Sequence, residues 1–87
     1  MEIKVTEVSV VPVKPDAKGL VAFASCVLND GLYLSSIGIV TKRSGGYRLV
    51  YPAKLVGERY LQVFHPTSHI TAQAIESAVL KKVEALY

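Results

Sequence analysis

The sequence predicts an α+β domain: an antiparallel β-meander of about five strands, with one C-terminal amphipathic helix packed on one face. Two observations lead to this prediction. Between about residues 3 and 64, short runs rich in Val, Leu, Ile and Tyr are separated by turn residues, as in strands. From about residue 69 to residue 86, apolar residues recur every three or four positions, as in a helix. A length of 87 residues fits a single domain over residues 1–87.

The first predicted strand covers residues 5–13. The step from Val5 to Val8 breaks the alternation of a strand, so we expect a β-bulge near Glu7. Pro12 has no N–H group to give to a neighbouring strand, which favours an edge strand or a strand end. A turn is expected at residues 14–19, where Lys, Pro, Asp and Gly cluster.

The second predicted strand, residues 20–28, is apolar at both odd and even positions. Such a strand is either covered on both faces or central in the sheet. Asn29-Asp30-Gly31 follows, and Asp-Gly between two apolar runs is a strong hairpin signal. The third strand is therefore expected at residues 32–40.

Ser44-Gly45-Gly46 predicts a second hairpin, leading to a strand at residues 47–51. A glycine-rich phosphate loop is the alternative, but such loops are followed by a helix and a lysine at fixed spacing. Residues 52–59 are expected to be irregular, and a short fifth strand is expected at residues 60–64.

The predicted helix carries one apolar stripe, and polar side chains lie mostly on its opposite face. Ser68 or Thr71 is expected to cap its N-terminus, after Pro66 has ended the preceding strand. The stripe consists of Ile75, Ala78, Val79, Val83 and Leu86.

The composition indicates a partner surface. Apolar residues make up 51% of the sequence and the mean hydropathy is +0.34, although so small a fold buries only about 60–65% of its surface. We therefore expect a two-fold homodimer, the commonest closed assembly. No apolar run is long enough for a membrane span, and the N-terminal residues lack a secretory pattern, so we expect a cytoplasmic protein.

The sequence contains no evident set of catalytic or metal-binding residues. We therefore expect that the protein is not an enzyme and binds no cofactor, metal ion or small-molecule substrate. His65 and His69 are four residues apart, but Pro66 separates them and no further ligand stands beside them. We therefore expect His65 or His69 to form hydrogen bonds at the helix start. Cys26 is the single cysteine and lies in the most apolar strand, where a thiol packs as a small apolar group.

Basic residues are concentrated between positions 42 and 59, and the net charge of the chain is +3. They are compatible with phosphate contacts to nucleic acid, although a solvated surface is the simpler explanation of charge alone. Tyr47, Tyr51 and Tyr60 interleave with them and can stack on bases or complete a core or an interface. The candidate nucleic-acid-binding residues are Lys42, Arg43, Lys54 and Arg59, with Arg48 on a strand between them.

The order of these segments resembles the SpoVG family, named for stage V sporulation protein G. The resemblance covers nearly the whole chain, although each motif is short. It is carried by Val5-Thr6-Glu7-Val8, by Gly46-Tyr47 leading to Tyr51-Pro52-Ala53-Lys54, and by His65-Pro66 followed by Thr71, Ile75 and Ala78-Val79-Leu80.

The resemblance implies a small dimeric bacterial regulator of gene expression, septation or sporulation that binds DNA or RNA. Among the family's basic positions, only Lys54 is matched cleanly. Leu55, Leu61-Gln62 and Ala72-Gln73-Ala74 stand where basic or charged residues are usual in the family. We therefore expect weak binding through backbone phosphates. The alternative is a dimeric protein-interaction module of the same fold that does not bind nucleic acid.

Overall fold

The computed structural model describes residues 3–86 and has the predicted α+β architecture. The first four strands form an antiparallel sheet in the order β1-β2-β3-β4, and the last two form a separate hairpin. The elements are β1 (Val5–Pro12), β2 (Leu20–Leu28), β3 (Leu32–Thr41), β4 (Tyr47–Val50), β5 (Ala53–Val56), β6 (Arg59–Gln62) and α1 (His69–Leu86).

Strand β1 has the predicted irregularity and the predicted edge position. Its register with β2 shifts between Thr6 and Ser9, and Glu7 has a φ of 51°. A bulge there restores the alternation of the strand and turns Val5, Val8 and Val10 toward the core. Among the described residues, strand β1 is paired with β2 on one side and has no strand on the other. Pro12, which lacks an N–H group, therefore leaves no neighbouring strand without a hydrogen-bond donor.

The β2–β3 turn also forms where predicted. The N–H of Gly31 donates to the carbonyl of Leu28 at 3.1 Å, and the two residues between them, Asn29 and Asp30, have φ values of 50° and 57°. Positive φ at both central residues is the requirement of a type I′ turn. The two residues with left-handed backbone conformation are therefore Asn29 and Asp30. They lie one position earlier than Asp30-Gly31, the pair that predicted the turn.

The core lies between one face of the four-stranded sheet and helix α1. Ile75, Val79 and Val83 of the predicted stripe are buried, whereas Leu86 is exposed. Ser68 is the helix cap, since the N–H of Thr71 donates to its Oγ at 3.1 Å. On the sheet, the buried apolar residues of this face are Ala22, Ala24, Cys26, Leu34, Ile37 and Ile39.

The opposite face of the same sheet is uncovered within the chain. We call it the open face. It consists of the strand residues that alternate with the core residues, and these residues are paired across neighbouring strands in rows. Strand β2 is central, as predicted, but covered on one side only. The rows of the open face are Thr6–Val27–Tyr33, Val11–Phe23–Gly38–Val50 and Leu20–Val40–Arg48.

The prediction of an irregular stretch at residues 52–59 is wrong, whereas the short strand expected at 60–64 is confirmed in part, as a strand at 59–62. Ala53–Val56 and Arg59–Gln62 pair antiparallel as β5 and β6, which makes six strands in all. Gly57 opens the two-residue turn with a φ of 62°, as the first position of a type II′ turn requires. A strand of four residues is too short to show a period, which is why the sequence pattern missed β5.

Candidate functional site

The β5–β6 hairpin, here called the arm, projects from the domain. All eight of its strand residues are exposed, and its strands pack substantially only against each other. The arm is fixed at its base, where the N–H of Val63 donates to the carbonyl of Pro52 at 2.8 Å. Beside that bond, the rings of Tyr51 and Phe64 meet edge to face at 5.9 Å and pack against the core.

Two of the predicted nucleic-acid-binding residues lie on one face of this arm. Lys54 is paired with Leu61, and Val56 with Arg59, so Lys54 and Arg59 are diagonal neighbours on the same face. They were expected on loops, and their position on strands is a correction of that expectation. A strand holds both Cα atoms in a fixed register, so the two cations are presented together.

The other face of the arm, here called the apolar face, carries no charged residue, although exposed Val56 and Leu61 also lie on the cationic face. Leu55 and Tyr60 are directly paired there and are 54% and 75% exposed. A two-stranded hairpin is marginally stable by itself in water, because it buries little apolar surface. This exposed pair therefore points to contact with another molecule.

Lys42 and Arg43 lie in the β3–β4 turn, as predicted. The turn is closed by two backbone hydrogen bonds: Lys42 N–H donates to Gly46 O and Gly45 N–H donates to Lys42 O, each at 3.0 Å. The interpretation of Ser44-Gly45-Gly46 as a hairpin turn is thus confirmed.

The β1–β2 turn brings a further cation to the same end of the sheet. The N–H of Thr41 donates to the carbonyl of Gly19 at 3.0 Å, which joins the residue after Lys18 to the residue before Lys42. Arg48 occupies the open face beside Val40, near the same end. We call this group the basic end, consisting of Lys18, Lys42, Arg43 and Arg48.

Carboxylates neutralise little of this charge. Within residues 3–86, the salt bridge is that of Lys4 and Asp30, at 3.0 Å, which involves neither the arm nor the basic end. Asp16 lies near Lys18, but its Oδ1 accepts hydrogen bonds from the N–H groups of Lys18 and Leu20 at 2.9 and 3.1 Å. The cations are thus free to meet an external anion.

A groove of about 390 Å³ runs along the open face from the basic end to the first residue of the arm. Lys18 and Arg48 stand at one end of it, and Ala53, the first residue of the arm, at the other. Its middle is apolar, with Phe23 and Val50 as walls and Gly38 between them. The sequence pattern placed Arg48 in the basic cluster but did not indicate Lys18 or Phe23 for this surface. The alternation along β2 was the available signal for Phe23.

The tyrosines could stack on bases or complete a core, and the structure separates them into exposed and half-buried residues. Tyr47 and Tyr51 are half-buried and pack against the core, so they complete it, whereas Tyr60 is exposed on the arm. The pKa of the Tyr51 phenol is raised, first by burial and then by the nearby Cys26 and Glu76. The exposed aromatic rings of the open face are those of Phe23 and Tyr33, which are 40% and 66% exposed.

The remaining candidate groups fill structural roles. Cys26 is 0% exposed, and burial raises the pKa of its thiol, which keeps it protonated and unreactive. His65 Nδ1 lies 3.2 Å from the carbonyl of Pro66 and can donate to it, while Ser68 supplies the helix cap. Within residues 3–86, His, Cys, Asp and Glu form no group of three or more that could hold a metal ion.

In comparisons with known proteins, the chain matches no family model and no curated relative. The resemblance to the SpoVG family stays a prediction that rests on the motifs given above. In the part of the chain that the structure describes, no helix has the length and apolar character needed to cross a membrane.

Proposed function

We propose that this protein is a small dimeric regulator of the SpoVG type that binds DNA or RNA through its basic groups in the bacterial cytoplasm. The observation that carries the proposal is the arrangement of the cations. Lys54 and Arg59 share one face of the arm, Lys42 and Arg43 share a turn, and the described residues offer them no salt-bridge partner. Lys18 and Arg48, at the same end of the sheet as Lys42 and Arg43, line one end of the groove along the open face, and Ala53 of the arm lines the other.

A phosphate backbone is the ligand that such an arrangement favours. Exposed cations on hairpins can contact phosphates without leaving any other buried group unsatisfied, and each contact releases condensed counterions. The basic end also presents Lys18 and Arg48, which lengthens the positive surface. Backbone contacts position a protein without reading sequence, so we expect modest sequence preference.

Dimerisation is the second part of the proposal. The paired Leu55 and Tyr60 on the apolar face of the arm are suited to packing against the same pair of a second copy, because a two-fold interface is self-complementary. This arrangement leaves Lys54 and Arg59 on the outer face. A dimer presents the four cations Lys42, Arg43, Lys54 and Arg59 twice, which increases affinity for a long polyanion.

The test is the salt dependence of binding to labelled DNA and RNA. Changing Lys54 and Arg59 together to Ala removes four cations from a dimer. If all four contact phosphates, the slope of log K against log salt becomes shallower by about 3. Binding should weaken about equally for different sequences, since no base contact is removed.

The matched control is the double variant Lys81→Ala and Lys82→Ala, which removes the same charge from exposed positions of α1. We expect this control to leave the slope nearly unchanged. If both double variants shift the slope equally, the effect is one of net charge and the assigned surface is wrong. If the unmodified protein binds neither DNA nor RNA at low salt, the exposed pair on the arm favours the protein-interaction module instead.

A further inference from the structure

We propose that the open face binds single-stranded nucleic acid, with one unpaired base stacked on Phe23 in the groove and the flanking phosphates on Lys18 and Arg48. This inference rests on the proposed function and specifies the form of nucleic acid that is bound. It concerns a surface without any of the four cations predicted from the sequence.

Phe23 is positioned to stack on a base. Its ring belongs to the row Val11–Phe23–Gly38–Val50 on the open face, outside the core cluster, and is 40% exposed in the middle of a central strand. Single-stranded nucleic acids stack their bases on exposed aromatic side chains of this kind, and such stacking tolerates any base. The rest of the domain needs no aromatic ring at this position, because the core lies on the other side of the sheet.

The groove beside the ring has room for a base. Gly38 has no side chain, so a gap one strand wide separates Phe23 from Val50. A Cβ atom on Gly38 would lie 3.2 Å from Leu20 Cδ1 and 3.6 Å from Val50 Cβ, so any larger residue there would crowd the floor. The volume of about 390 Å³ is within the range of sites for small organic groups and is sufficient for one base.

The charge of the groove also suits a nucleic-acid strand. Lys18 and Arg48 line the groove at the basic end, whereas the arm contributes Ala53, and Lys54 lies on the other face of the arm. A strand lying in the groove therefore has two cations beside the stacked base, both at the basic end. The carboxylate of Asp16 is also at the rim, where two backbone N–H groups already donate to its Oδ1. A duplex has its bases paired and stacked internally, so it cannot place one against Phe23.

The chain contains no tryptophan, which permits a direct spectroscopic test. In the variant Phe23→Trp, the new indole is the only one, and stacking of a base should quench its fluorescence. The probes are unlabelled oligothymidine and oligouridine of about twelve nucleotides, with a duplex of the same length for comparison. Tyr33→Trp is the control, because Tyr33 is exposed on the same face but lies outside the groove. We expect quenching by single strands in Phe23→Trp and none in Tyr33→Trp.

A second variant tests affinity without changing charge. Phe23→Leu keeps an apolar side chain but removes the flat ring, so the affinity for a fluorescein-labelled single strand should fall about fivefold or more. The salt slope should stay the same, and binding to duplex should not change. Tyr33→Leu should leave all three quantities unaltered.

The outcomes separate this inference from the proposed function. Binding that depends on Lys54 and Arg59 but neither quenches Phe23→Trp nor weakens in Phe23→Leu overturns the inference alone. Absence of any binding by the unmodified protein overturns both. If Phe23→Leu instead converts a dimer to a monomer in sedimentation equilibrium, a second copy covers the groove and the inference is wrong.

Discussion

The two faces of the four-stranded sheet have similar side chains and opposite environments. On the face under α1, Cys26 and Ile37 are 0% exposed, whereas on the open face Phe23 and Tyr33 remain in contact with solvent. Both sets come from the same strands and alternate along them. Apolar composition alone therefore does not identify the core, and the helix determines which face is buried.

The arm extends the same contrast. It is a hairpin like β2–β3, yet its apolar residues contact no core, and its cations project from it. Burying apolar surface contributes about 25 cal/mol per Å² to the free energy of folding. The isolated chain does not gain this contribution from an apolar face that stays uncovered. We assign folding to the helix-covered face and, as part of the proposed function, binding to the open face and the arm.

The largest effect is expected on the covered face. Val79 is fully buried in the centre of the helix stripe, so Val79→Asp introduces an unpaired charge into the core. We expect the free energy of unfolding to fall by several kcal/mol, enough to unfold much of a domain of this size. Urea denaturation measures the loss. The control Ser77→Asp, at an exposed position of the same helix, should change stability by less than about 0.5 kcal/mol. Equal effects of the two changes would show that the helix does not cover a core.

A change of assembly without loss of folding is expected on the arm. Leu55→Glu combined with Tyr60→Glu places four carboxylates in the proposed interface of a dimer, where they repel each other. Sedimentation equilibrium at micromolar concentration should give a dimer for the unmodified protein and a monomer for this variant. Leu61→Glu, on the opposite face of the arm, should remain dimeric. A monomeric mass for the unmodified protein would remove dimerisation from the account.

The smallest effect is a dependence of stability on alkaline pH. Burial raises the pKa of the Cys26 thiol and of the Tyr51 phenol, so the unfolded chain loses these protons at lower pH than the folded one. The contribution of each group is present below its unfolded pKa and is lost as pH rises past it, about 8.5 for the thiol. Thermal unfolding midpoints should therefore decline above that pH. In Cys26→Ala the decline should begin nearer pH 10, where tyrosine ionises. An unchanged pH profile would indicate that the thiol ionises equally in both states.

Much of the fold could be predicted from the sequence because its signals are local. The helix stripe, the bulge near Glu7 and the β2–β3 turn each follow from the side chains of a few neighbouring residues. The arm could not be predicted in the same way. Its strands have four residues each and alternate apolar with polar side chains only in part, and Gly57-Glu58 is a weak turn signal.

The candidate site was predicted only in part, for a related reason. Clustering in sequence was sufficient to select Lys54 and Arg59, which the hairpin register places on one face. Lys18 reaches the basic end through the contact between Gly19 and Thr41, residues that are far apart in sequence. Phe23 belongs to a strand that was expected to be central or covered on both faces. Its exposure depends on the single helix lying on the other side of the sheet.

The division between a folding face and a binding face is tested most directly by amide chemical-shift mapping during titration with a short single strand. We expect shifts at Phe23, Gly38 and Val50 of the open face, and at Lys54 and Arg59 of the arm. Residues on the exposed side of α1, such as Gln73 and Lys81, should remain unchanged. Shifts confined to the helix, with the open face and the arm unaffected at saturation, would contradict the account.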